Sequence, residues 1–132
     1  MLRLHSIILL NLIIFLTHGG ISYATENWPG WRGPRGDGSA ESDPRLPVKW
    51  TAVDNTLWKT ELPGKGHASP IVWKNHIFIV SALMDAGDRA LICIERTSGK
   101  VLWQRTVLKS PPERIHRLNS LASSTPVTNG KY

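Results

Sequence analysis

From residue 48 onward the apolar residues of this chain come in short runs separated by turn signals, and no run reaches helix length. Pro70 to Trp73 reads PIVW, His76 to Ser81 reads HIFIVS, Leu91 to Glu95 reads LICIE, and Val101 to Val107 reads VLWQRTV. Runs this short, rich in Ile, Val and aromatics, form strands rather than helices. Lys74-Asn75 makes a tight connection between the first two. Asp85-Ala86-Gly87-Asp88 is a longer loop before the third. Thr97-Ser98-Gly99-Lys100 turns the chain into the fourth, with Gly99 suited to a positive φ. The pattern predicts an all-β chain with a four-stranded antiparallel meander over Ser69 to Val107.

The faces of that sheet set the next constraint. Ile77 and Ile79 point one way while Phe78 and Val80 point the other, and Leu91 and Cys93 oppose Ile92 and Ile94. Both faces are apolar, so both call for cover. A four-stranded sheet of this length has roughly 300 Å² per face. Leaving one face wet forfeits about 8 kcal/mol, comparable with the whole stability of a domain, about 5–15 kcal/mol. A sheet packed on each side is therefore expected. Gln104 and Arg105 mark the fourth strand as an outer, partly solvated edge, with Trp103 tucked back against the sheet.

Internal echoes point the same way. LWKTEL at Leu57–Leu62 is repeated as LWQRTV at Leu102–Val107, 45 residues on. SPIV at Ser69–Val72 is repeated as TPVT at Thr125–Thr128, 56 residues on. The extra length lies in the stretch from Leu108 to Ser124, read as an insertion on a connection between repeats, where a partner could be met. A period near 40–45 residues with four strands per unit is the pattern of a β-propeller blade. LWKTEL would then be an outer strand. A sandwich or a small barrel is the all-β alternative.

Ahead of the strands lie two other segments. Residues 1–24 carry Arg3, an apolar run from Ile7 to Leu16 broken only by Asn11, and the small residues Ser22 and Ala24 flanking Tyr23. This is the layout of a secretory signal peptide cleaved after Ala24; the run is shorter than the roughly 18–20 residues a span needs. The expected mature chain is periplasmic or secreted, with no membrane span after signal removal. Its formal charge falls from +6 to +5 with the loss of Arg3. Acidic and basic residues are interspersed and no basic cluster is interleaved with aromatics, so nucleic acid is not an expected partner. Residues 25–47 read as loop. They hold NWPGWRGPRGDG, with Trp28 and Trp31 expected to anchor on the folded surface and Arg35-Gly36-Asp37 read as turn rather than adhesion signal. Residues 48–132 form the β region.

The turn into the fourth strand carries the most specific pattern. CIERTSGKVLW, Cys93 to Trp103, resembles the tryptophan-docking motif of pyrroloquinoline-quinone (PQQ) repeat propellers, Ala-x-Asp-x-x-Thr-Gly-x-x-x-Trp. Gly99 and Trp103 match; Cys93, Glu95 and Ser98 stand at the Ala, Asp and Thr positions. WPGWRGPRGDG, LWKTELPGKGHASPIVW and NSLASSTPV, in that order, are similar to the opening of large secreted bacterial propellers of this kind. The resemblance implies a structural motif in which the small residue admits the Trp, the Gly makes the turn and the carboxylate closes it. Because propellers close with about 4–8 blades, it implies one complete blade, 69–107, in an incomplete propeller: the N-terminal portion of a longer protein, or a truncated one. The expected partners are other proteins or the remaining blades of its own full-length chain.

Chemistry is sparse. His67, Ser69, His116, Asn119 and Ser120 lack a nucleophile elbow or a spaced third group, and His67, His76 and His116 lack metal-ligand spacing. Cys93 is the single cysteine and sits among Leu91, Ile92 and Ile94, as a buried residue does. No catalytic or metal-ligating residue is assigned. The function implied by the resemblance is a non-catalytic scaffold or protein-interaction propeller of the cell envelope, without cofactor. Its alternative is a PQQ- and calcium-dependent alcohol or sugar dehydrogenase, with both cofactors held only by a full-length propeller.

Overall fold

A computed structural model describes residues 27–83, 87–111 and 113–132. The signal segment and its cleavage point at Ala24 lie outside the described residues. Four strands follow one another as β1 (Ile71–Trp73), β2 (His76–Leu83), β3 (Asp88–Glu95) and β4 (Val101–Leu108). They pair antiparallel in sequence order, and no helix occurs among the described residues. The all-β meander is thus present, with shifted borders. β2 and β3 stay paired as far as Leu83 opposite Asp88, so the connecting loop is shorter than its polar residues suggest. Arg89 explains the difference: it is a strand residue that is buried with its own partners.

One face of the sheet is covered by the chain itself. Register places Ile77, Ile79 and Ser81 beside Ile94, Ile92 and Ala90. Ile92 and Ala90 retain none of their accessible surface. Over them run residues 58–65. Trp58 shares a recess with Ile77, Leu62 shares another with Ile79 and Ser81, and the Ser81 hydroxyl donates to the Pro63 carbonyl at 2.5 Å. Lys65 then exchanges two backbone hydrogen bonds with Ala82 at 3.0 and 2.8 Å. The expected covering sheet is therefore replaced here by an extended segment, and no strand is assigned to Leu57–Leu62. Two of its side chains bond the turn before β4: the Trp58 indole N–H donates to Arg96 O and the Thr60 hydroxyl to Gly99 O.

The opposite face carries a row across all four strands: Ile71, Phe78, Cys93 and Trp103. The Phe78 and Trp103 rings approach to 5.9 Å between centroids, leaning over the smaller Cys93 between them, which is 1% exposed. Trp103 keeps 38% of its surface, so it is propped against Phe78 rather than tucked away. β4 is exposed along its whole length. Register shifts against β3 leave β4 one extra residue near each end. Such bulges increase local twist and hinder flat edge-to-edge pairing.

The chain ends of the described region meet beside β1. Trp28 exchanges backbone hydrogen bonds with Val72 at 2.8 and 2.9 Å, while the Pro29 carbonyl accepts the Thr128 N–H at 3.0 Å. Val72 and Thr128 are counterparts in the SPIV/TPVT echo, so one segment is held between equivalent positions of two repeats. Ser69 N–H donates to its own counterpart, Thr125 Oγ1, at 3.1 Å. Trp28 is half-buried as expected, but Trp31 is 65% exposed and lies under the Arg32 guanidinium. In the same loop Arg35 pairs with Asp37 at 3.6 Å and with Glu41, and Asp37 accepts from the Ser39 N–H and hydroxyl. The tripeptide's charges are thereby spent within its own turn.

The segment that follows β4 is tied back to the sheet. Ala122 O accepts the His67 and Ala68 N–H groups at 3.0 and 2.9 Å. Arg89 donates through Nε to Leu121 O and through Nη2 to Glu113 Oε1, both at 3.0 Å. The Ser110 hydroxyl and then Arg89 hold the Glu113 carboxyl below its ordinary value of 4.5. A carboxylate with a depressed folded pKa stabilises above its unfolded value, and that contribution is lost as pH falls through the folded one. Glu113→Gln should therefore melt slightly below the wild type at about pH 6, the gap closing towards about pH 3. A gap independent of pH in melts followed by circular dichroism would contradict the pairing.

Candidate functional site

The turn from Glu95 to Lys100 is built by short-range bonds. Gly99 N–H donates to Glu95 O at 2.9 Å, and Glu95 N–H donates to Lys100 O at 2.8 Å. The Ser98 hydroxyl donates to the Glu95 carboxylate and accepts the Lys100 N–H at 3.2 Å. Gly99 has φ 72°, a conformation costly for any residue with a Cβ. The pattern of Glu95, Ser98 and Gly99 thus corresponds to a closed loop with a bare Cα at its tip.

That bare Cα is occupied by a distant tryptophan. A Cβ on Gly99 would lie 2.5 Å from Cδ2 and Cε3 of Trp58, far inside van der Waals contact. The Trp58 indole N–H donates to Arg96 O at 2.8 Å, and the Thr60 hydroxyl donates to Gly99 O. Ring and hydroxyl together satisfy carbonyls of the turn that strand pairing leaves free. Trp103, the tryptophan of the same motif, lies elsewhere: it stands across the ladder from Cys93 and does not fill this turn. Trp58 and Thr60 belong to LWKTEL, the segment that LWQRTV echoes. The 45-residue echo is the sequence signal that could have singled them out.

The arrangement recurs. A Cβ on Gly130 would come within 2.2 Å of the Trp73 ring, and one on Gly33 within 2.7 Å of Trp28. Gly130 is the repeat counterpart of Lys74, and both have positive φ, 88° and 53°. Of the six tryptophans, Trp28, Trp58 and Trp73 lie on glycines, whereas Trp31, Trp50 and Trp103 are exposed.

The reactive side chains do not converge. Burial pushes the Cys93 thiol pKa up, away from the thiolate a nucleophile needs. His116 Nδ1 accepts the Leu118 N–H at 3.3 Å. Ser120 Oγ accepts the His67 backbone N–H at 3.1 Å and lies 3.1 Å from Ser123 Oγ. His67 and Ser69 line an open groove of about 490 Å³ with Trp31, Ser123 and Thr125. Neither histidine is paired with a serine hydroxyl in a base–nucleophile arrangement. Among the described residues no three His, Cys, Asp or Glu side chains gather to hold a metal ion. Among the same residues, no helix is long and apolar enough to cross a membrane. Comparisons with protein-family models, curated proteins and solved structures found no match.

Two glycines separate the cost of backbone conformation from that of the tryptophan contact. Gly36 has φ 73° with open space around its Cα. Gly36→Ala should cost about 1 kcal/mol. Gly99→Ala, with the same conformation plus the Trp58 ring, should cost at least about 2 kcal/mol more. Equal costs in urea denaturation would remove the docking contact from the account.

Proposed function

We propose that this chain is a non-catalytic PQQ-like repeat of the propeller kind, acting as a scaffold or protein-interaction module of the cell envelope. The observation that carries the reading is the seating of Trp58 on the Gly99 turn. It joins one echoing segment to the motif that ends with the other, as blade-to-blade stacking requires. The apolar row of Phe78, Cys93 and Trp103 supports it. Trp103 is the repeat counterpart of Trp58 and stays exposed on the edge strand β4. In this reading Trp103 is offered to the glycine turn of a further repeat, on another protein or elsewhere in its own longer chain. The motif roles are then mechanical: Cys93 makes room between rings, Glu95 and Ser98 close the turn, and Gly99 receives the tryptophan.

The leader sequence supports export to the periplasm or medium, with Ala24 as the last residue removed. No cofactor is assigned, because the chain's motif residues are all used to build the turn and the stack.

The test is association. Sedimentation of the chain over a wide concentration range should show concentration-dependent assembly, weakened at least about tenfold by Trp103→Ala, or about 1.4 kcal/mol. Titration with PQQ and calcium, followed by tryptophan fluorescence, should give no saturable change. A monomer that melts cooperatively and is indifferent to Trp103→Ala would overturn the interaction reading. Saturable PQQ binding with dye-linked dehydrogenase activity would replace it with the oxidoreductase.

A further inference from the structure

Arg96 follows the last residue of β3, and its backbone is fully committed. Its N–H donates to Asn75 O at 3.0 Å, and its carbonyl accepts the Trp58 indole. Its guanidinium is not committed. Nη1 is buried and has no hydrogen-bond partner among the described residues. By contrast Arg35, Arg45 and Arg89 each lie on a carboxylate. An arginine cannot relieve burial by losing its proton, so a buried unpaired nitrogen calls for an acceptor.

The surroundings restrict what that acceptor is. Arg96 lines an open recess of about 380 Å³ with Asn55, Thr56, Leu57, Trp58 and Ile77. The two polar walls are already engaged: Asn55 Nδ2 donates to Lys49 O and Thr56 Oγ1 donates to Thr51 O. What remains is the Arg96 side chain beside the apolar surfaces of Leu57, Trp58 and Ile77, with its Nη1 turned away from solvent. Leu57, at 93% exposed, lines its outer side.

We propose that this recess binds a monoanionic carboxylate bearing a short apolar group. The planar guanidinium matches the two carboxylate oxygens side by side, and the apolar walls accept the substituent. Phosphate fits less well: it brings more acceptors and more charge than one guanidinium can satisfy, and it has no apolar part for Trp58 and Ile77. Nη1 is shielded from solvent, so binding turns the guanidinium outward into the recess. That movement exchanges an unpaired nitrogen for a paired one.

Butyrate is the probe, titrated into the full chain at neutral pH against chloride of equal ionic strength. The Trp58 indole N–H, bonded to Arg96 O, is the reporter in proton–nitrogen correlation spectra. The expected result is a saturable shift with a low-millimolar Kd, about 3–4 kcal/mol of binding. Inorganic phosphate should bind at least tenfold more weakly. Arg96→Met should abolish the shift, and Arg96→Lys, which keeps the charge and loses the fork, should weaken it severalfold; Arg96→Lys alone decides if the Met variant fails to fold. Absence of saturation, an undiminished shift in these variants, or phosphate binding as tightly as butyrate would overturn the proposal. The first outcome would leave water as the partner of Nη1.

Discussion

The contact between a tryptophan ring and the bare Cα of a left-handed glycine organises this small β structure. It does two things that hydrophobic burial alone does not. It fixes where a distant segment crosses the sheet, because the ring fits only where a Cβ is missing. It also supplies a donor to a carbonyl at the turn, so the crossing segment satisfies polar groups while it covers apolar ones. With Trp58 seated at Gly99, the chain is led past Ile77 and Ile79 to Ser81 and Ala82. The buried face of Ile92 and Ile94 follows from that path.

The two faces of the sheet are consequently unlike. One is closed by the chain's own residues 58–65, at the level of single side chains and backbone bonds. The other presents Phe78, Cys93 and Trp103 in a row, only partly covered near β1 by the Trp73–Gly130 contact. The repeat relation gives this asymmetry a meaning. Trp58 and Trp103 occupy corresponding places in two echoing segments; the first is seated on a glycine and the second stays exposed. Bulges along β4 fit the same picture, since they discourage strand addition at the edge while leaving the face open.

Much of the fold was legible because strand signals are local. Short apolar runs and the Thr97–Lys100 turn located all four strands, and the lone buried cysteine and the closed Arg35–Asp37 turn agree with the sequence. The errors arose where tertiary partners outweigh composition. Asp88 reads as loop and Arg89 falls ahead of the expected third strand, yet the Leu121 carbonyl and Glu113 make Arg89 acceptable in a buried strand position. LWKTEL would be an outer strand only against the last blade of a full ring; within the described residues it lies extended, with Thr60 bonded to the Gly99 turn. Trp31 looks like an anchor, but its neighbour Trp28 takes the glycine. At the candidate site the turn itself was readable, from Gly99, Ser98 and Glu95. Which tryptophan fills it was not, because a Cβ-free pocket is defined by an atom that is absent; only the 45-residue echo hinted at Trp58.

The most direct measurement of the central contact is the chemical shift of the two Gly99 α protons. An indole ring resting on that Cα imposes a ring current that differs between them. At least one should be displaced well upfield of its random-coil position, with nuclear Overhauser effects to the Trp58 ring protons. Random-coil shifts for both, with no such effects in a chain whose β2–β3 pairing is intact, would contradict it.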